Sequence, residues 1–220
     1  MITYAWRNAI KTILKDGTVY IDGDNRRCTE IRNQSITIDN PADGVDEPYN
    51  ALRDHDEWTY PSKEQLLNVI FDDEHINSLD YTYGARLLNF DDTINQITDY
   101  VIPLLKDNPM TRRAIAHVYD PRLDSNQRRA STPGIIYFHF LQRNNALHCT
   151  AAIRSNDVFF GYPANIIQIH HVHRWVADEC NLSQGSITTV SNSAHIFHDA
   201  HQDIQAVLNI PVESLSDDHP

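Results

Sequence analysis

The chain has 220 residues, 41% of them hydrophobic, which is enough for one compact domain but would leave two full domains small. Its 30 acidic residues against 18 basic ones give a net charge of −12, which argues against the basic face that a nucleic-acid-binding protein needs. No apolar run approaches the roughly 20 residues of a membrane helix, and the first residues lack the basic-then-apolar order of a secretory signal. We therefore expect a cytoplasmic protein with one domain over residues 1–213, a frayed acidic tail over 214–220, and no membrane or nucleic-acid partner.

Two further features of the composition bear on the protein's environment. The charge balance is rich in Asp and poor in Lys, which suits a protein that works in high salt, where screening suppresses self-repulsion. Cys28, Cys149 and Cys180 are widely spaced and form no Cys-x-x-Cys pair, so they indicate neither a disulfide framework nor a thiolate zinc site. We expect them to be reduced and structural.

The first part of the chain predicts a helix, a strand and a loop. Residues 3–15 have the apolar spacing of an amphipathic helix, with Thr3 as a candidate cap and Gly17 as the stop. Residues 29–38 alternate in part between polar and apolar, which predicts a strand. Residues 39–61 are polar and rich in Asp and Pro, which predicts a long surface loop.

The middle of the chain predicts two helices and a strand. Ser62 and Gln65 have the Ser-x-x-Gln form of a capping box, so a short helix is expected to begin there. A second helical pattern runs from about residue 92 to 106, and Pro103 is expected to end or kink it. Residues 114–119 predict a strand.

The remaining elements are a hairpin, a helix and a strand. Residues 134–141 and 146–154 are rich in β-forming residues and flank a turn at 143–145. Residues 165–179 have a helical period, and residues 186–197 predict a strand. The order of elements is that of an α+β protein, since it lacks the regular βαβ alternation of a dinucleotide-binding fold.

A set of polar motifs carries most of the information on function. They are Tyr81-Thr82-Tyr83-Gly84-Ala85-Arg86, Asp107-Asn108-Pro109-Met110-Thr111-Arg112-Arg113, Pro133-Gly134, Arg154-Ser155-Asn156-Asp157, Asn165 and His195-Ile196-Phe197. Their order and spacing resemble those of the thymidylate synthase and dCMP hydroxymethylase family, and most of all its short archaeal-type members. The resemblance extends from about Tyr83 to Phe197.

This resemblance implies a fold, a partner and a reaction. The fold would be one large mixed β-sheet packed with helices, with a face of the sheet forming a homodimer interface. The protein would bind a pyrimidine nucleoside monophosphate, with dUMP as the first choice. The reaction would be one-carbon transfer from 5,10-methylenetetrahydrofolate to C5 of the base, giving dTMP or a hydroxymethyl nucleotide.

The resemblance also assigns the arginines to a phosphate. Arg154 would bind it with Ser155 beside it, and Arg112 and Arg113 would reach across the dimer into the partner's site. Either Arg26 or Arg27 would be a further phosphate ligand, and the sequence does not choose between them. Clustered guanidinium groups suit a phosphate near −2, which accepts several charge-assisted bonds. The alternative is that these are ordinary surface ion-pair residues.

Asn165, Asp157 and His195 would hold the base and the sugar. In the family an asparagine at the place of Asn165 favours a uracil-type base, although an amide can turn over and present either edge. A second interpretation of Asn165 is the N-cap of a helix over residues 166–179, and both roles could hold together. His195 would contact the ribose 3′-hydroxyl, but the tyrosine that accompanies it in the family is Phe197 here, so one hydroxyl contact is missing.

The catalytic residues depart from the family's pattern. Tyr83 would be the tyrosine near C5, and Glu64, with Glu57 as a weaker alternative, would be the catalytic glutamate. Gly134 stands where the family has the cysteine whose thiolate adds to C6 of the base, and glycine cannot do this. Cys149 should lie about 20 Å from Gly134 along the hairpin, too far to replace the missing thiol. Cys28 is the one cysteine that could approach the site, and we give it little weight as a substitute.

Three interpretations therefore remain open for the chain. It is an enzyme with a different nucleophile, a catalytically inactive nucleotide-binding or regulatory homologue, or a structural protein on the same fold. A metal site made by His170, His171, His173 and Cys180 is a further idea, but we favour packed or solvated histidines and expect no metal. The segment after Phe197 is also shorter than the family's folate-covering tail.

Overall fold

The computed structural model describes residues 2–72, 81–126 and 131–211, so the predicted tail at 214–220 lies outside the described residues. The helices are α1 (Ile2–Asp16), α2 (Glu47–Arg53), α3 (Lys63–Phe71), α4 (Tyr83–Leu88), a π-helix (Gln96–Val101), α5 (Ile102–Asp107), α6 (Pro121–Asp124), α7 (Gly161–Glu179), a 3₁₀ turn (His198–Ala200) and α8 (His201–Leu208). The strands are β1 (Thr18–Ile21), β2 (Arg27–Ile38), β3 (Ile115–His117), β4 (Ile135–Arg143), β5 (Ala146–Asp157) and β6 (Ser183–Phe197). None of the helices in these ranges is long and apolar enough to cross a membrane.

The strands form one six-stranded mixed sheet in the order β1-β2-β6-β5-β4-β3. Neighbours pair antiparallel except β5 and β6, which are parallel. A parallel pair needs a crossover connection, and α7 supplies it between the end of β5 and the start of β6. The predicted α+β class with one mixed sheet packed by helices is confirmed.

One face of the sheet carries the core, and the other, called here the uncovered face, has exposed or half-buried side chains in the part of the chain that the structure describes. A row of side chains that crosses β2, β6, β5 and β4 is almost fully buried: Ile38, Ile187, Cys149 and Phe140. The neighbouring row on the opposite face is exposed or half-buried: Thr37, Thr188, Thr150, His139 and Ile115. Helices α1 and α7 pack against the sheet, and the buried apolar side chains form one main cluster.

Several local predictions are confirmed by the structure. Gly17 follows α1, and its N–H donates to the Ile13 carbonyl at 2.9 Å, which closes the last turn. Ser62 and Gln65 form the reciprocal capping box that begins α3. Asn144 and Asn145 connect β4 to β5 with φ of 51° and 59°, the left-handed pair that a two-residue hairpin turn requires.

The predicted loop over 39–61 is wrong in part, because it contains α2. Pro48 stands in the first turn of this helix, where its missing N–H costs nothing. Tyr49 and Leu52 are buried, and Leu52 lies in the main core. The polar composition therefore hid a short amphipathic helix.

The single helix predicted over 92–106 is also wrong. The segment begins with turns, forms a π-helix at Gln96–Val101 and becomes α-helical only at α5. Pro103 lies in the first turn of α5 and does not end the helix. Asn95 begins the π-helix and accepts from the N–H groups of Ile97 and Thr98.

The short elements β1, α4, α6 and α8 had no counterpart in the predictions, and the predicted cap of α1 is wrong. Strand β1 has four residues and only Tyr20 among them is half-buried, so it shows little alternation. Helix α4 has six residues, and its cap is Thr82, whose hydroxyl accepts from the Ala85 N–H at 3.0 Å. Thr3 lies inside α1, which already begins at Ile2.

Candidate functional site

The parallel pairing of β5 and β6 gathers the site residues at one edge of the sheet. Ser155 lies beside Ser193, and Asp157 lies beside His195. The backbone continues this contact beyond the strands, since the Val158 N–H donates to the His195 carbonyl at 2.9 Å. Residues that are distant in sequence therefore share one surface because the carboxyl ends of parallel strands coincide.

Gly134 joins this edge from the beginning of β4. Its carbonyl accepts a hydrogen bond from the Arg154 N–H at 2.8 Å. A regular hairpin would place Gly134 opposite Ser155. A register shift between Ile135 and Tyr137 moves the pairing by one residue, so Gly134 lies opposite Arg154 instead.

Tyr83 lies directly over Gly134. A Cβ added to Gly134 would be 3.4 Å from the Tyr83 hydroxyl and 3.8 Å from the Ser155 carbonyl, both ordinary contacts. The hydroxyl also accepts from the Ile135 N–H at 3.5 Å. Tyr83 is buried, and this burial raises its pKa, so the phenol is a neutral hydrogen-bonding group.

Arg154 is exposed at this edge, and the groups that hydrogen-bond its side chain are neutral backbone carbonyls, so its positive charge is not neutralised. Its Nη2 donates to the Thr132 carbonyl at 3.2 Å, and its Nε donates to the Pro133 carbonyl at 3.4 Å. Backbone carbonyls orient a guanidinium group and leave its net charge in place. The remaining donors suit an anion such as a phosphate.

Asn165 lies in the second turn of α7, which begins at Gly161, so its interpretation as a helix N-cap is wrong. The turn before the helix is held instead by Asp157, whose Oδ1 accepts from the N–H groups of Phe159 and Phe160 at 3.0 and 3.1 Å. The Asn165 Nδ2 donates to Oδ1 of Asn156 at 3.3 Å. Asn165 is half-buried, and its side chain does not cap the helix.

Asp157 and His195 form an electrostatic pair beside this turn. Burial raises the pKa of the Asp157 carboxyl and lowers the pKa of the His195 imidazole, while each group favours the charged form of the other. Ser193 Oγ lies 3.3 Å from His195 Nδ1 and orients the ring. Each charged group therefore stabilises the other against the cost of burial.

Arg26 and not Arg27 reaches the same group of side chains. The Arg26 guanidinium lies 4.1 Å over the centre of the Phe197 ring, and that ring lies 4.9 Å from the ring of His195. Arg26 also pairs with Asp22 at 2.9 Å across the preceding turn. Arg27 is the next residue of β2, so its side chain leaves the opposite face, where its charge acts on His198.

The other predicted site residues lie elsewhere in the chain. Arg112 and Arg113 precede β3, where their carbonyls accept from His139 Nε2 at 3.2 Å and from the Tyr100 hydroxyl at 2.9 Å. His139 belongs to the uncovered face of the sheet. The structure therefore places these arginines beside that face and outside the cluster around Gly134.

Neither candidate glutamate makes a described contact with the cluster. Glu64 is exposed in the first turn of α3, about 12 Å along the axis from Asp72, whose backbone packs against Gly84 of α4. Glu57 is exposed in the segment after α2, where its charge acts on Asp203.

The three cysteines do not replace a nucleophile at Gly134. Cys149 is paired with Phe140 in the core, as predicted, and Cys28 is fully buried with its thiol directed to the Arg26 carbonyl at 3.5 Å. Burial raises the pKa of the thiols of Cys28, Cys149 and Cys180. All three are therefore neutral thiols at physiological pH.

Two of the three histidines of α7 have hydrogen-bond partners among the described residues. His170 Nε2 lies 3.0 Å from Gln184 Oε1, and His173 Nε2 lies 2.7 Å from the Leu147 carbonyl. Within residues 2–72, 81–126 and 131–211, no three His, Cys, Asp or Glu side chains are grouped so that they could hold a metal ion.

The sequence predictions did not include two features of the site. Asn156 lies between the predicted ligands Ser155 and Asp157 and is buried. The sequence indicates this only in that Asn156 is a polar residue within a strand whose other buried positions are mostly apolar. Aromatic side chains also lie near Asp157: the Tyr60 hydroxyl donates to the Phe160 carbonyl, and the Trp58 ring lies 5.1 Å from that of Phe160. The distance in sequence between residues 58–60 and 157–160 concealed this contact.

Comparison with known proteins agrees with this geometry. The family model for thymidylate synthase matches residues 6–216. A protein of Methanococcoides burtonii described as "Putative thymidylate synthase" is 30% identical over 94% of this chain and 91% of its own length. A protein of Methanocaldococcus jannaschii with the same description is 33% identical over 90% and 88%. The thymidylate synthase of Francisella tularensis is 28% identical over 58% of this chain and 50% of its own. The chain therefore belongs to the thymidylate synthase family.

Proposed function

We propose that this protein binds a pyrimidine nucleoside monophosphate, with dUMP as the preferred ligand. The observation that carries the proposal is the convergence of Arg154, Asp157 and His195 at the common edge of β5 and β6. This edge combines an uncancelled guanidinium group, hydrogen-bonding side chains and a turn at the start of a helix. Such a set suits a ligand with one anionic group and one polar ring.

The phosphate would lie against Arg154 and Ser155, with Arg26 approaching from β2. The chain has a net charge of −12, so most of its surface repels anions. A group of arginines is therefore a favourable place for a phosphate to bind. The His195 side chain would contact the sugar. Phe197 offers that sugar a ring and no hydroxyl, and the ring instead supports Arg26 at 4.1 Å.

We infer that two copies of the chain associate through the uncovered sheet face. That face carries Thr150, His139 and Ile115, and Arg112 lies beside it through the contact of its carbonyl with His139. Association there would bring Arg112 and Arg113 toward the partner's phosphate site. This arrangement explains why they are absent from their own chain's cluster.

The residues near Asp157 fit the pterin ring of a folate. The half-buried Trp58, Tyr60 and Phe160 rings give this region apolar surface, and Asp157 keeps one carboxylate oxygen outside its two backbone hydrogen bonds. When bound, 5,10-methylenetetrahydrofolate would supply the one-carbon unit for C5. We therefore keep one-carbon transfer, the family's reaction, as the activity that accompanies binding.

Gly134 favours a second candidate, a nucleotide-binding homologue without turnover. Activation of C5 in this family depends on a thiolate at C6, and the three thiols of the chain are buried or neutral. The binding residues and Tyr83 do not depend on that thiol. Binding and turnover are therefore separable, and each has its own experiment.

Binding is tested by the thermal shift of the purified protein with dUMP. We expect stabilisation by dUMP, and Arg26→Ala should weaken binding about tenfold or more, since charge-assisted hydrogen bonds contribute about 1.5–3 kcal/mol. Arg27→Ala is the matched control and should retain binding. Absence of any shift with dUMP, dCMP or dTMP would support the structural interpretation instead.

Turnover is tested by tritium release from [5-³H]dUMP, with and without 5,10-methylenetetrahydrofolate. Release that requires 5,10-methylenetetrahydrofolate and exceeds the background of the Arg154→Ala variant would support the one-carbon reaction, whereas release without the folate would show only hydrogen exchange at C5. Binding without release would establish the second candidate.

A further inference from the structure

A chain of three buried or half-buried side chains connects β6 to the base end of the proposed site. Asn156 Nδ2 donates to Ser191 Oγ at 2.9 Å, and Asn156 Oδ1 accepts from Asn165 Nδ2 at 3.3 Å. Asn156 and Ser191 are each 1% exposed, so neither is available to a ligand. Their accessible member is Asn165, which is half-buried.

This chain determines which edge the Asn165 amide presents. The Asn165 Nδ2 donates one hydrogen to Asn156, so the nitrogen side of the amide is turned toward the protein. The Asn165 Oδ1 lies on the other side of the amide and takes no part in this hydrogen bond. In a planar amide, the Nδ2 hydrogen cis to Oδ1 lies on the same edge as that oxygen. Together they form a donor next to an acceptor, the complement of O4 and N3–H of uracil.

Cytosine needs the opposite arrangement, because it has a 4-amino donor and an N3 acceptor. Turning only Asn165 would place its oxygen against Asn156 Oδ1, so that two acceptors would meet. Relief would require Asn156 to turn as well and the Ser191 hydroxyl to change from acceptor to donor. A free amide turns without such cost, whereas here the change must involve two almost fully buried residues.

We propose that Asn156 is a positioning residue that holds the Asn165 amide with its oxygen available to the base, so that the site selects a uracil-type over a cytosine-type nucleotide. This rests on the proposed function, since it assumes that the site takes a pyrimidine nucleotide. It assigns base selectivity to a residue that touches no ligand.

The test is equilibrium binding of dUMP and dCMP by calorimetry to the wild type and to four variants. The wild type should prefer dUMP by about tenfold or more, the effect of one or two correctly paired hydrogen bonds. Asn156→Ala and the milder Ser191→Ala should reduce this ratio to about threefold or less, mainly through weaker dUMP binding. Asn156→Asp, which only accepts hydrogen bonds, should retain the preference, and so should Asn192→Ala, an exposed neighbour on β6.

The outcomes separate this inference from the proposed function. Equal weakening of both nucleotides by Asn156→Ala and Ser191→Ala, with the ratio unchanged, would make Asn156 a purely structural residue and overturn the inference alone. A wild type that prefers dCMP would do the same while leaving pyrimidine binding intact. If the wild type bound neither nucleotide, the proposed function would fail, and the inference with it.

Discussion

At the residue scale, the missing cysteine is a matter of chemistry and not of conformation. Among the described glycines, Gly44 is the one with a positive φ, so the backbone at Gly134 accepts any residue. The space around it also accepts a side chain, since the nearest atom to an added Cβ is the Tyr83 hydroxyl at 3.4 Å. Glycine is therefore not required there by the fold.

Gly134→Cys should fold without loss of stability. Replacing glycine at a compatible backbone position stabilises by about 0.4–1 kcal/mol through the unfolded chain, so the urea midpoint should stay equal or rise. The new thiol would point at Tyr83 and the site edge, and we expect tritium release from [5-³H]dUMP to appear or increase. Gly134→Ala is the control with the same fit and no thiol. If the Gly134→Cys variant folds and binds dUMP but releases no tritium, a second element of catalysis is missing.

At the element scale, the site depends on short connections that fix how the elements meet. Helix α4 carries Tyr83 and packs against the end of α3 through Gly84, where an added Cβ would lie 2.0 Å from the Asp72 carbonyl. Glycine is needed here for close approach and not for a special φ. The position of Tyr83 over Gly134 therefore depends on Gly84.

Gly84→Ala should destabilise the fold by about 1–3 kcal/mol, since overpacking a tight contact forces the backbone to shift. Gly23→Ala is the matched control, because nothing lies within 4 Å of the Cβ that it would gain. Denaturant unfolding of both variants gives the comparison. Equal midpoints would contradict the close approach of α4 to Asp72.

Elements with a local signal were predicted from sequence, and those that depend on distant contacts were not. The hairpin follows from Asn144-Asn145 and α3 from the Ser62 and Gln65 capping box. Helix α2 was missed because its apolar side chains are few, and it is stabilised by burying Leu52. The bulge that pairs Gly134 with Arg154 has no signature in the residues around it.

At the scale of the whole molecule, buried histidines connect stability to pH. His173 is fully buried on α7, and burial lowers its pKa to about 4. Its Nε2 contact with the Leu147 carbonyl requires a donor, while its Nδ1 is buried without a described partner. The folded protein therefore keeps this ring neutral.

Acid should destabilise the protein through His173. The unfolded chain binds this proton below about pH 6.5 and the folded one only near pH 4, so the stability present above pH 6.5 is lost as pH falls between these values. We expect a loss of roughly 1–2 kcal/mol between pH 7 and pH 5, measured by urea unfolding. His173→Gln keeps a donor and should reduce the pH dependence. An identical pH profile in the variant would assign the effect to other groups.

Salt should stabilise the whole molecule. A net charge of −12 on a chain of 220 residues repels itself, and salt above about 0.1 M screens such repulsion over distances beyond roughly 10 Å. We expect the melting temperature to rise between dilute buffer and molar KCl. Equal melting temperatures in dilute and molar KCl would remove the support for adaptation to high salt.

The sequence by itself determined the α+β class, the family and the order of the candidate ligands, because these depend on local periodicity, turn chemistry and motif spacing. Only the tertiary structure decided that Arg26 and not Arg27 meets Phe197, that Arg112 and Arg113 lie outside their own chain's cluster, and that Asn156 holds Asn165. The physical reason is long-range pairing in the sheet, since β2 with β6 and β5 with β6 bring together residues that no local pattern connects.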